Sequence, residues 1–333
     1  MTKPKNQRDQ YSDNLKFILI HLVVIGHFTL ELFANPVARG ITNAIYSFHM
    51  PVFIFLSGYF SKNAVHHKKD ITKILFTFFV FQAIWVVYGK ATGLGYFQKN
   101  PFIPTHQNWY LLALFTWRLL IPYASFFPKA QVIAISIIAA FIVGATDAFG
   151  DFLSLHRTIY FLPIFVLGYY CPDIVAFKDR FGKHRIIIAI AFFSVLITIF
   201  ISSYFSEAIA HMTFLGYVPR LGHHMDVHML IARFLGFFSS ITIGLLLLII
   251  VPSCMPKIFQ LGRNSMNPFL LHMFYVYPVV YLVKGTDSLI VAICAFSLLI
   301  LITTFISMDK FNILMKPVTD LEYITSSRLF SRK

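Results

Sequence analysis

"NLKFILIHLVVIGHFTLELF", residues 14–33, decides the fold. At ~1.5 Å of helical rise per residue, a run of this length crosses the ~30 Å hydrocarbon core of a bilayer. It carries only Lys16 and Glu31 as formal charges. The basic-then-apolar start of the chain mimics a secretion signal, but no small-residue cleavage site follows, so an uncleaved first spanning helix is expected. Lys16 and His27 are eleven residues apart, which at 100° per residue leaves them only ~20° apart around the axis and separated by a rise of ~16 Å. A cation near one end and an imidazole deep in the helix therefore share a stripe. Asp13 lies one turn before Lys16, within pairing distance. Glu31 lies one turn beyond His27, where it is expected to orient the imidazole or raise its basicity.

Composition extends this reading to the whole chain. The 333 residues are 57% hydrophobic and only 13% charged, against roughly a quarter charged in soluble domains. Apolar stretches predict about ten transmembrane helices: 14–33, 41–60, 71–90, 108–126, 131–148, 156–172, 185–204, 228–251, 265–283 and 287–308. The fold class expected is an all-α polytopic membrane protein with both termini cytoplasmic. No repeat, low-complexity tract or linker interrupts it, so residues 1–333 read as a single membrane domain with a short cytoplasmic tail at 309–333 and no appended soluble domain. The net charge of +14 follows from the positive-inside rule. Only Arg39, Lys90, Lys99, Arg157, Arg220 and Lys284 fall outside or at the outer rim, Arg118 and Arg233 lie inside helices, and the other 20 of the 28 Lys and Arg fall on the cytoplasmic side. Nucleic acid is excluded as the source of the charge. Cys171, Cys254 and Cys294 have no paired spacing, so no disulfide framework, zinc knuckle or redox pair is expected.

Polar groups inside apolar helices mark functional cavities when several share a depth. Arg118, about ten residues into its helix, is expected near the midplane; Arg233 lies close enough to an outer end to snorkel. His21, His27, His49 and His272 also lie within helices. His49 stands in "SFHMPVFIFLSG", residues 47–58, two positions before Pro51. The proline is expected to loosen that helix where the backbone lines a cavity, and Ser57 and Gly58 read as a close-packing pair. In "HHMDVH", His224, Asp226 and His228 carry i, i+4 spacing, but without further convergent ligands no metal site is expected.

Five stretches occur in order along most of the chain: "DNLKFILIHLVVIGHF", "FHMPVFIFLSGYFSK", "NWYLLALFTWRLL", "RTIYFLPIFVLGYY" and "LGRNSMNPFLLH". In order and spacing they resemble the acyltransferase family 3 membrane proteins, most closely the fucose 4-O-acetylase-like branch. The resemblance implies transfer of an acetyl group from acetyl-CoA, a donor substrate rather than a bound cofactor, to a hydroxyl of a cell-surface or exported glycan or lipid-linked sugar, at the bacterial plasma membrane. It maps the family's basic residue and histidine onto Lys16 and His27. It maps its Arg-x-x-Arg pair only approximately onto Lys69 and Lys73, with a donor-binding role. Ser265 and His272 match its "NS…H" pattern as cavity-lining groups.

A sugar hydroxyl needs a base within hydrogen-bond reach. His27 is expected to be that base, or to be acetylated itself, with Glu31 beside it. Arg118, His49 and Trp109 are the candidate donors to the developing oxyanion, and Arg157 is expected to help hold the glycan. A transporter or flippase without acyl chemistry is the alternative, but no twofold hydropathy repeat or paired broken helices support it.

Overall fold

The structure, a computed structural model, describes residues 10–64, 68–93, 100, 102–144, 151–207, 227–286 and 288–326. Among these residues there is no strand. The helices are α1 (Gln10–Leu30), α2 (Pro36–Tyr46), α3 (His49–Ala64), α4 (Lys68–Thr92), α5 (Asn108–Leu120), α6 (Lys129–Gly144), α7 (Leu155–Tyr170), α8 (Ile174–Arg180), α9 (Arg185–Phe205), α10 (Val227–Ile250), α11 (Met266–Val283), α12 (Leu289–Ile306) and α13 (Asp309–Thr319), followed by one short terminal helix. Eight helical stretches are long and apolar enough to cross a bilayer, with α2 and α3 together forming one of them. The fold is thus the polytopic helical bundle expected. The two remaining predicted spans are shorter. Residues 108–126 become the 13-residue α5 and a 3-10 stretch, Ile121–Phe126, because Pro122 has no N–H with which to continue the α-helix. Residues 131–148 become α6, whose 16 residues begin at Lys129.

The segment expected as one helix at 41–60 is divided. It starts earlier, where the Asn35 side chain accepts bonds from the Val37 and Ala38 amides (2.9 and 3.2 Å) and Pro36 occupies the first helical position, a position whose N–H needs no partner. It then breaks at Ser47–Phe48. Pro51 falls in the first turn of α3, so it helps to start that helix and the break precedes it.

α1 stands at the centre, packed by α2, α3, α11, α12 and the 3-10 stretch Lys257–Asn264. Glycines set the closest approaches. A Cβ at Gly58 of α3 would lie 2.0 Å from the Phe165 carbonyl oxygen, and one at Gly168 of α7 would lie 2.0 Å from the Phe55 oxygen. The two backbones therefore touch, as small residues allow in membrane interfaces. Gly58 is a packing residue. Gly262 brings the 3-10 stretch against α1 in the same way, since a Cβ there would lie 2.0 Å from the Asp13 carbonyl oxygen.

Candidate functional site

Four elements bring imidazoles and a phenol together between the middle and one end of the bundle. His27 on α1 is half-buried, and its Nδ1 lies 3.1 Å from the hydroxyl of Tyr46, the last residue of α2. The His272 ring, on α11, lies 4.9 Å from the His27 ring between centroids. Tyr46 also meets His49, the first residue of α3, at 4.5 Å between centroids. Tyr46 and His49 stand three residues apart, about one helical turn, and so share a face across the α2–α3 junction.

The histidines differ in what their neighbours leave free. His49 Nδ1 donates to the Ile45 carbonyl at 2.9 Å, and His272 Nδ1 donates to the Phe269 carbonyl at 2.8 Å. A carbonyl only accepts, so each neutral ring is fixed with its proton on Nδ1 and a lone pair on Nε2. Both side chains are buried, at 1% and 0% exposure, and His272 Nε2 has no partner. His27 is different: a tyrosine hydroxyl both donates and accepts, so its ring can hold the proton on either nitrogen.

His49, His272, His106 and Arg157 all act electrostatically on His27. Arg157, in the first turn of α7, holds its guanidinium 5.3 Å from the Trp109 ring, which stacks on Phe161. His106 adopts φ 47°, a left-handed conformation uncommon outside glycine. Its ring is placed 4.5 Å from that of Trp85, and its Nδ1 lies 3.3 Å from the Tyr277 hydroxyl.

Toward the other end of the bundle lies a cavity of about 270 Å³, whose polar lining is Lys16, Ser57, Tyr110, Arg118, Arg263 and Ser265. Val23, Met50 and Phe269 also line it. Val23 is one turn before His27, Met50 follows His49, and Phe269 is one turn before His272. The cavity thus ends about one helical turn, ~5 Å, short of the histidines. Three cations face it, each tethered. Lys16 lies 3.7 Å from Asp13 and 4.3 Å from the Phe60 ring. Arg118 Nε donates to Ser61 Oγ at 3.2 Å. Arg263 forms a two-bond pair with Asp309, with Nε to Oδ1 at 3.0 Å. Ser57 and Tyr110 hydrogen-bond one another across the wall.

Several expected positions shift. Arg118 lies in the last turn of α5 and lines the basic cavity together with Lys16. Lys73 does not line the cavity; it pairs with Asp320 at 3.1 Å. The Lys69 side chain lies outside the described residues, as do His224, Asp226 and the His228 side chain. Among the described residues no cluster has metal-binding geometry. Glu31 falls just past α1, in the turn at 31–34, with its amide still bonding the His27 carbonyl at 3.3 Å. Its carboxyl bonds Tyr277, and partial burial pushes its pKa up against that bond and the nearby Lys284 charge. Arg233 is buried, at 6% exposure, with Tyr160 nearby, so it does not snorkel. Tyr46, His106, Tyr110, Tyr277 and Arg263 join the site without having been singled out from sequence. Arg263 and Tyr110 carried a signal, since Arg263 stands two residues before Ser265 in the quoted "LGRNSMNPFLLH" and Tyr110 follows Trp109 in "NWYLLALFTWRLL".

A family model described as "Acyltransferase domain" matches residues 9–309. No curated protein and no solved structure matches the chain.

Proposed function

Because the chain belongs to this acyltransferase family, its domain covering residues 9–309, we propose that it is an O-acetyltransferase of the fucose 4-O-acetylase-like branch. It moves an acetyl group from acetyl-CoA to a hydroxyl of an exported or cell-surface glycan, at a bacterial plasma membrane. The observation that supports this most is the basic cavity ending one turn from the histidine cluster, with Lys16 and His27 on the same helix. The cavity suits a long anionic donor: phosphates on Lys16, Arg118 and Arg263, and the pantetheine arm running toward His27. The basic end faces the cytoplasm, where acetyl-CoA is made.

The chemistry then follows from the fixed and free imidazoles. His27 takes the proton of the acceptor hydroxyl as that oxygen attacks the thioester carbonyl. The tetrahedral oxyanion collapses, the C–S bond breaks, and the leaving thiolate takes the proton back from His27, so the products are the ester and CoA thiol. Tyr46 lets the ring exchange its proton between nitrogens. His49 and His272, each with a lone pair on Nε2, accept bonds from neighbouring hydroxyls of the acceptor. Of the three expected oxyanion donors, Arg118 is displaced to the basic cavity and the proton of neutral His49 is held by Ile45. Trp109 is the donor that is left, with Arg157 beside it to hold the sugar.

Lys16→Ala and Arg118→Ala each raise the KM for acetyl-CoA about tenfold or more with little change in kcat, the worth of one charge-assisted bond. Lys16→Arg retains most function. An unchanged KM in Lys16→Ala leaves that charge with a topological role only. The overall reading is tested in oriented vesicles. Acetyl-CoA on the cytoplasmic face labels acceptor on the opposite face, with release of CoA thiol; labelling confined to the same face rejects transfer across the membrane.

A further inference from the structure

At the end of the bundle away from the basic cavity, a second cavity of about 450 Å³ opens between the turn after α1 and the α11–α12 connection. Its walls differ in chemistry. Ile41 of α2 and Leu289, Ala292 and Phe296 of α12 make an aliphatic and aromatic side, whereas Glu31, Lys284 and Ser288 make a polar corner. Val37 and Leu289 line it from opposite sides, yet are 48% and 73% exposed. Both belong to stretches long and apolar enough to span a bilayer, so the exposed apolar rim of the opening suits lipid rather than water. Ile290, beside Leu289, is also 73% exposed and continues that surface.

The polar corner leads inward. Glu31 bonds the Tyr277 hydroxyl, that hydroxyl lies 3.3 Å from His106 Nδ1, and His106 acts electrostatically on His27. The left-handed backbone at His106 is what brings this ring to the line, and such outliers are retained where surrounding structure holds them for use. A lipid-facing apolar wall, a carboxyl–ammonium corner and a polar line to the catalytic imidazole together fit one class of ligand.

We propose that this cavity binds an amphiphile of the bilayer leaflet at that end, its alkyl chain on α2 and α12 and its hydroxylated head on Glu31 and Lys284, and that the acyl acceptor is such a membrane-anchored sugar. The binding half stands on the cavity; the acceptor half rests on the acetyl-transfer reading above. A free sugar would leave the apolar wall unfilled, and a plain hydrocarbon would set apolar surface against the charged groups of Glu31 and Lys284.

The test uses the full chain in phosphatidylcholine vesicles with dodecyl β-glucoside carrying a diazirine on its chain. Photolabel is expected in peptides containing Val37–Ile41 and Leu289–Phe296, displaced by unlabelled dodecyl glucoside and not by glucose. Ala292→Trp lowers it about tenfold, and Ala292→Leu, which adds less bulk, gives a smaller loss. Label spread evenly over the bilayer-facing helices, or unchanged in both variants, overturns the cavity assignment. The unmodified protein given acetyl-CoA transfers acetyl to dodecyl glucoside about tenfold faster than to glucose; equal rates overturn the anchored acceptor. Displaceable label in the cavity with transfer to neither acceptor counts against acetyl transfer and leaves the cavity assignment standing.

Discussion

His27→Ala abolishes measurable transfer, a loss of about 10²–10⁴-fold in kcat, the worth of a positioned general base. The substitution leaves the bundle intact, because His27 is half-buried and, among the described residues, its side chain hydrogen-bonds only Tyr46. Donor binding therefore persists, and the acetyl-CoA KM or Kd changes little. His49→Ala and His272→Ala cost less in kcat and more in acceptor KM, because their fixed tautomers equip them to accept hydroxyls rather than to carry a proton. Tyr46→Phe separates the roles further. It keeps the ring contacts with His27 and His49 but removes the hydroxyl, so kcat falls while donor KM stays. Near wild-type ester formation in His27→Ala, read by NMR of the product, rejects His27 as base and as acylated nucleophile alike.

The second large effect is structural. Gly168→Val on α7, or Gly58→Val on α3, prevents recovery of folded protein. Even the first added carbon would lie 2.0 Å from a carbonyl oxygen of the facing helix, against about 3.5 Å for ordinary carbon contacts. The clash is with backbone, which no rotamer change relieves, so the helices must separate along the seam. Overpacking alone costs about 1–3 kcal/mol, and here separation also opens voids that flank the α3 site residues. Gly182→Ala is the control, since nothing lies within 4 Å of its added carbon and its φ is not positive. The measurement is the thermal unfolding midpoint in one detergent. A Gly168→Val protein with an unshifted midpoint rejects the touching-backbone description.

What the sequence made legible was what one helix determines by itself. The Lys16–His27 stripe follows from the period of α1, and Asp13 stands near Lys16 because both lie within one turn. Resemblance added Ser265 and His272, which face the basic cavity and His27 respectively. Positions that depend on how separate elements meet were not legible. Glu31 has the right spacing to face His27, but its carboxyl bonds Tyr277. Arg118 was read from its depth in one helix, whereas its cavity partners Lys16 and Arg263 come from other elements. Tyr46 could not be found, because its reach to His27 depends on how α2 packs against α1, which only tertiary structure reveals. Lys73 was assigned to the donor by resemblance, and its partner Asp320 stands far along the chain, a pairing that only tertiary structure reveals.

Because Lys16 and His27 belong to one unbroken helix, the interval between them does not depend on the lipid. Bilayers differ in thickness by a few Å from membrane to membrane, and spanning helices respond by tilting. A tilt carries both residues together. It changes how deeply each mouth sits and leaves the ~16 Å of rise between them intact. Insertion or deletion of a single residue within this interval has the opposite character, because it rotates His27 by about 100° relative to Lys16 and removes one of them from its cavity. Lineages adapting to thicker or thinner membranes are thus free to lengthen or trim α1 at its ends, while its length between these two positions stays fixed.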